Sequence, residues 1–251
     1  MGVDFNPMVN LTAGQLKIPY VYSEITSSSK IDTIERPTAV GKLASDYDIG
    51  AMLGGKINEG MFEYALAVIN GAGANVADDN DKKDFVGRIA AYPLRGSEGK
   101  LGLMLAGAYW TGEQPIIVKS TDPVTGVEKE TNMGDQSRDR YVGSAEVKFD
   151  KAKLVAEYLH QELEDTDKTS DGYYVTLTYD ISTGKMVVQP VLMYDQYDAD
   201  TDKDDDEITS TTLGVNFFPS KNVRFAVNYR MIDETPEKDN NELFFLGQII
   251  F

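Results

Sequence analysis

Tyr141-Val142-Gly143-Ser144-Ala145-Glu146-Val147-Lys148-Phe149-Asp150 decides the fold class. Tyr141, Gly143, Ala145, Val147 and Phe149 fall on one face of an extended chain. Ser144, Glu146, Lys148 and Asp150 fall on the other. A period of two is the signature of a strand, and a strand with one apolar and one charged face separates hydrocarbon from water. The same split recurs near the end of the chain, where Val223, Phe225, Val227, Tyr229 and Met231 oppose Arg224, Ala226, Asn228 and Arg230.

Working outward, alternating segments of this kind recur about twelve times, at 9–17, 47–57, 61–70, 84–94, 100–111, 140–150, 152–164, 172–181, 185–197, 208–218, 222–231 and 242–251. Most are close to the 9 to 11 residues a tilted barrel strand needs to cross a bilayer. The joints alternate in length. Asn58-Glu59-Gly60, 94–99, Asp150-Lys151, Ser182-Thr183-Gly184 and Pro219-Ser220-Lys221 are short and rich in turn formers, whereas 18–46, 71–83, 112–139, 165–171, 198–207 and 232–241 are long. This predicts an all-β, antiparallel transmembrane β-barrel over 1–251, a single domain with short periplasmic turns and long external loops. Phe62, Phe85, Tyr109, Tyr141, Phe149, Tyr158, Tyr173, Tyr179, Tyr194 and Phe217 sit near strand ends on the apolar face, as interfacial girdles do.

Composition removes several classes. The chain has no cysteine, so disulfides and thiolate chemistry are excluded. A net charge of −17 argues against a nucleic-acid partner. A hydrophobic share of 41%, with no apolar run of helix-spanning length, excludes helical membrane spans but not a barrel, whose alternation keeps mean hydropathy low. The start, Met1-Gly2-Val3-Asp4-Phe5, lacks a secretory leader, which fits a mature or truncated form. A soluble β-sandwich binding module also alternates and is the competing fold.

Ala13-Gly14-Gln15-Leu16-Lys17-Ile18-Pro19-Tyr20, Ser23-Glu24-Ile25-Thr26-Ser27-Ser28, Ile34-Glu35-Arg36-Pro37 and the run from Asp48 to Lys56 carry a family resemblance. It continues through 62–73 and Gly87-Arg88-Ile89-Ala90-Ala91-Tyr92-Pro93, and covers about 9–112. These stretches resemble the phosphate-selective porin O and P family. The resemblance implies an outer-membrane porin of a Gram-negative bacterium, a passive channel for small hydrophilic solutes with a lean toward anions such as phosphate. It implies a sixteen-stranded barrel that associates as a trimer, so twelve strands here point to a shorter relative or to about four absent N-terminal strands.

The same resemblance implies a constriction loop folded into the bore, and 18–46 occupies that place with Lys30, Arg36 and Lys42, next to Lys17. By parity, Arg88, Lys148, Lys153, Arg224 and Arg230 face the lumen, together with Glu63, Glu146 and Glu157. The anion-path candidates are therefore Lys17, Lys30, Arg36, Arg88, Lys148, Arg224 and Arg230. The ending, with Leu243, Phe245, Ile249 and Phe251 on one face, resembles the closing strand recognised by the barrel-assembly machinery. Outer-membrane lipid and lipopolysaccharide complete the implied partners. A barrel with a blocked lumen and a binding or structural role is the alternative function.

No enzyme motif is complete. His160 has no nucleophile beside it, and Ser27-Ser28-Ser29-Lys30 lacks the partner motifs of a serine-lysine nucleophile. The acidic run Asp195, Asp198, Asp200, Asp202, Asp204, Asp205, Asp206, Glu207 fails the EF-hand test, because Lys203 stands where glycine is needed. No metal and no cofactor are expected. The acidic loops read as solvated tips, with divalent ions bridging them to lipopolysaccharide.

Overall fold

A computed structural model describes residues 2–78, 82–96, 100–121 and 128–249. Its strands are β1 (Gly2–Asn6), β2 (Val9–Lys17), β3 (Tyr47–Ile57), β4 (Phe62–Ile69), β5 (Asp84–Leu94), β6 (Leu101–Thr121), β7 (Glu128–Phe149), β8 (Ala152–Leu163), β9 (Lys168–Tyr179), β10 (Ile181–Ser182), β11 (Val187–Asp198), β12 (Glu207–Ser220), β13 (Val223–Glu234) and β14 (Glu242–Ile249). All belong to one 14-stranded sheet in which sequence neighbours pair antiparallel, except that β9 pairs β11 and the two-residue β10 pairs only β11. Between β2 and β3 lie two short helices, α1 (Tyr22–Ile25) and α2 (Thr38–Leu43).

The count corrects the expected twelve. β1 is five residues long and reaches β2 through a shifted register between Asp4 and Asn6, too short for a period to show. The expected loop at 112–139 is largely strand: Gly112 pairs Arg138, and the ladder runs out to Thr121 opposite Glu128. Thr111-Gly112-Glu113-Gln114 offers no apolar face, so alternation vanishes there while the backbone ladder continues. The expected loop at 165–171 shrinks likewise to a 3₁₀ turn at Glu164–Thr166 and Asp167, whose φ is 46°. Among the described residues β1 and β14 pair only with β2 and β13, leaving both as sheet edges.

Burial runs opposite to that of a soluble protein. On β13, Phe225 and Tyr229 are 53% and 41% exposed while Arg224 and Asn228 are 2% and 1% exposed. On β7, Tyr141 and Phe149 are exposed while Val142 and Ser144 are buried. The outward face is apolar and the inward face mixed or polar, which a soluble sandwich cannot tolerate and a membrane barrel requires. The sandwich reading is thereby overturned.

The sheet also curls. α2 is about 9 Å long. Its Ala39 lies so close to Gly172 of β9 that a Cβ there would sit 2.4 Å from the alanine methyl. The same helix takes a hydrogen bond from Arg140 of β7 at Leu43 and one from Arg230 of β13 at Thr38. A flat sheet would hold β7 and β13 about 24 Å apart. The apolar core is therefore inside the curl, where Ile18, Tyr20, Val21, Val40 and Leu43 of the inserted segment meet Ala67, Val86, Trp110, Val142 and Leu159 of the wall.

Candidate functional site

A segment with little regular structure has many backbone groups to satisfy, and in residues 18–46 the wall supplies the partners. Glu157 accepts the Tyr22 and Ser23 N–H groups at 2.7 and 3.0 Å, and hydrogen bonds from Ser144 Oγ and Tyr174 Oη at 2.6 Å each. Arg224 donates to the carbonyls of Ile31 and Asp32 at 2.8 Å and of Thr33 at 3.4 Å, while Asn216 Oδ1 holds its fork. Ile34 N–H donates to Asn228 Oδ1 at 2.6 Å, and Thr38 N–H to Asp195 Oδ1 at 2.9 Å. A Cβ on Gly214 would stand 2.1 Å from Asn228 Nδ2, so only glycine leaves Asn228 its place.

Charge adds to this grip. Lys153 pairs with Asp32 at 2.7 Å, and Tyr22 Oη donates to Glu146 at 2.6 Å. Burial first, then the bond to Glu146, pushes the Tyr22 phenol far up, so it stays a donor. Arg140, 3% exposed, donates to the Leu43 carbonyl at 3.1 Å and lies 3.3 Å from the centre of the Trp110 ring. The three hydrogen bonds each involve a charged partner, the stronger class of hydrogen bond.

The other side of the bore differs. Between the segment and strands β2–β5 a cleft of about 280 Å³ remains, lined by Asn10, Lys17, Pro19, Ile25, Met52, Gly54, Gly55, Lys56, Glu63, Tyr64, Ala65 and Arg88. Lys56 pairs with Glu63 at 2.7 Å, and Tyr92 Oη donates to the same carboxylate at 3.1 Å. Lys17 donates to the Glu24 carbonyl at 2.7 Å. Arg88 is half-buried, its Nε is enclosed, and among the described residues it has neither a hydrogen bond nor an ion pair. Three cations and one carboxylate make this cleft wall electropositive.

The structure distributes the seven expected cations. Lys17 and Arg88 meet at the cleft. Lys30 lines a separate pocket of about 40 Å³ beside Asp32 and Lys153. Arg36 folds back onto the segment, with Nε 2.9 Å from Glu24 Oε2. Lys148 pairs with Glu146 at 2.7 Å on an exposed part of the wall. Arg224 and Arg230 point inward but are engaged with the segment: Arg230 reaches Thr38, Ser210 and Asp195. Lys56 and Arg140 were not singled out from sequence, although parity with Met52 and Gly54, and with Val142 and Ser144, puts both inside.

Elsewhere, Phe245 and Ile249 are 71% and 63% exposed on the outward face, and Phe251 lies outside the described residues. His160 stacks on Tyr141 with ring centres 4.3 Å apart and bonds Asp171 and Glu162. Among the described residues no cluster of His, Asp and Glu is arranged to hold a metal ion.

A model of the family described as "Phosphate-selective porin O and P" matches residues 1–244. An "Uncharacterized protein" of Aquifex aeolicus (strain VF5) is 25% identical over 265 residues; the match covers 90% of this chain, which spans 60% of that relative's length. Among solved structures, OmpT with loop L8 deleted, an outer membrane protein of Vibrio cholerae, superposes with a TM-score of 0.66 at 15% identity, covering 96% of this chain and 74% of that one. In-vitro folded OmpT of the same organism, in its trimer form, gives 0.63 at 14% identity, covering 99% and 74%. At these identities the likeness is one of fold.

Proposed function

The chain belongs to the phosphate-selective porin O and P family, placed in the Gram-negative outer membrane, and from that premise we propose that it passes small hydrophilic solutes by passive diffusion with a lean toward anions such as phosphate. The single observation that supports this is Arg88, a guanidinium with no hydrogen bond or ion pair among the described residues, which lines the cleft beside the segment together with Lys17 and Lys56. An oxyanion entering the gap exchanges part of its hydration shell for donors the wall already holds in place. Lys56 is tempered by Glu63, so the attraction is shallow enough for release.

The rest of the inserted segment is the constriction, and the polar ladder of β8–β13 keeps it from collapsing into the gap. The chemistry is that of a channel rather than an enzyme. Association as a trimer, insertion by the barrel-assembly machinery and contact of the acidic loops with lipopolysaccharide are the partners this reading carries.

A second reading, a barrel with a blocked lumen and a binding or structural role, is favoured by how completely the segment is bonded to β7–β13. Planar-bilayer recording of the refolded chain in a salt gradient separates the two. Stable steps with an anion-favouring reversal potential support the first. A correctly refolded chain without steps supports the second.

A further inference from the structure

Arg138 and Arg140 stand two residues apart on β7, so both turn to the inward face of the strand. Their surroundings differ. Arg138 has a carboxylate beside it: its Nη2 lies 3.2 Å from Asp84 Oδ2, and its Nη1 donates to Gln114 at 2.8 Å. Both oxygens of Asp84 are engaged, since Trp110 Nε1 donates to Oδ2 at 2.7 Å and the Glu113 N–H to Oδ1 at 3.2 Å.

Arg140 has no such counter-charge. Among the described residues its one hydrogen bond goes to the Leu43 carbonyl at 3.1 Å, while its Nε and Nη2 are enclosed without an acceptor. Trp110, its direct partner across the β6–β7 ladder, has its ring centre 3.3 Å from Arg140 Cζ. The ring attracts the cation but offers no lone pair to those N–H groups. Tyr20 stands edge-on to the same indole with ring centres 5.5 Å apart, and its own ring centre is 5.9 Å from Arg140 Cζ. The Tyr20 hydroxyl is likewise enclosed without a partner among the described residues. Tyr20, Leu43 and Trp110 are each 1% exposed and Arg140 3%, so the cluster is sealed from solvent.

We propose that Arg140 and Tyr20 hold one small monovalent anion, of the chloride class, against Trp110, and that this anion staples the inserted segment to the wall. A bridging water would satisfy the donors but leave the guanidinium charge unbalanced, and an unpaired buried charge is strongly destabilising. An anion answers both needs, accepting from Arg140 and from Tyr20 Oη at once. Tyr20 lies at the beginning of the segment and Leu43 at its end, so the site ties both ends to β6 and β7. The anion is a fixed part of the fold rather than a permeating ion. None of Tyr20, Leu43, Trp110 and Arg140 lines the cleft at Lys17 and Arg88, and the site is independent of the solute path.

The test is thermal unfolding of the refolded full chain in detergent, with sodium gluconate exchanged for sodium chloride at constant ionic strength. Gluconate is too bulky for a sealed site, so screening stays fixed while the ligand varies. The midpoint is expected to rise with chloride and to saturate, by at least about 3 °C in total. Tyr20→Phe removes a hydroxyl without a partner, so in gluconate it should unfold as wild type does, yet it should need about tenfold more chloride for half the rise. Arg140→Met should abolish the rise, and if that variant does not refold, Tyr20→Phe decides alone. A wild-type midpoint indifferent to chloride, or an undiminished rise in either variant, overturns the proposal. Crystals grown in bromide then locate the ion. An anomalous peak within hydrogen-bonding distance of Arg140 and Tyr20 Oη sustains the site. No peak there ends it, as does a peak in a protein that chloride does not stabilise, which would be an adventitious ion only.

Discussion

The bore has two unlike sides. Along β7–β13 the inward side chains of Arg140, Glu157, Asp195, Asn216, Arg224 and Asn228 are bonded to the backbone of residues 18–46. Along β2–β5 the inward groups Arg88 and Lys56 look across a gap. Both sides carry arginines facing the lumen. The difference is occupancy: Arg224, already holding three carbonyls and Asn216, has at most one N–H left for a passing anion, whereas Arg88, with no hydrogen bond or ion pair among the described residues, keeps its terminal N–H groups. Facing the lumen is thus a weaker statement than lining the path.

Substitutions on the gripped side should cost stability, and those on the open side selectivity. The largest effect is expected at Glu157, where Glu157→Ala leaves two backbone N–H groups, Ser144 and Tyr174 without their acceptor. Breaking so buried a charged centre costs about 3–5 kcal/mol, to be read as a lower unfolding midpoint and faster proteolysis near Tyr22. Arg224→Ala should cost about 2–3 kcal/mol by taking the donor from the Ile31 and Thr33 carbonyls and from Asn216 Oδ1, in the same assay. Gly172→Ala should cost about 1–3 kcal/mol, because the new methyl meets Ala39. Smallest is Arg88→Gln: within about 0.5 kcal/mol of wild type in stability, since no bond is lost, yet with a reduced anion-to-cation permeability ratio. Loss of stability at Arg88, or of selectivity alone at Arg224, would dissolve the distinction between the sides.

Much of this was legible in the sequence, and the physics of strands explains which part. β2, β3 and β5 have the bounds their alternation predicts, because a lipid face and a water face must alternate residue by residue. The outer halves of β6 and β7 stayed hidden, since Thr111–Gln114 and their partners Gln136–Asp139 are polar on both faces. The family resemblance carried by 9–112 extends in the family match to 244, over strands whose alternation is plain but whose residues are not distinctive.

For the site, parity gives a side of the sheet to Arg88, Lys148, Arg224 and Arg230 but not what each meets there. Arg224 meets carbonyls 191 to 193 residues away in sequence, and Gly214 matters only because Asn228 needs its space. Such relations arise from the path of residues 18–46 through the bore, which no local pattern encodes. Arg36 pairs with Glu24 twelve positions earlier, a spacing that only the fold of the segment closes.

The absence of cysteine from the sequence makes the central claim directly accessible. Single channels of Arg88→Cys and of Arg224→Cys should be exposed, while conducting, to a negatively charged, membrane-impermeant thiol reagent. Current through Arg88→Cys is expected to step down as the thiol reacts, while current through Arg224→Cys stays unchanged. A block at Arg224→Cys with none at Arg88→Cys would put the solute path on the opposite side of the segment and contradict the account.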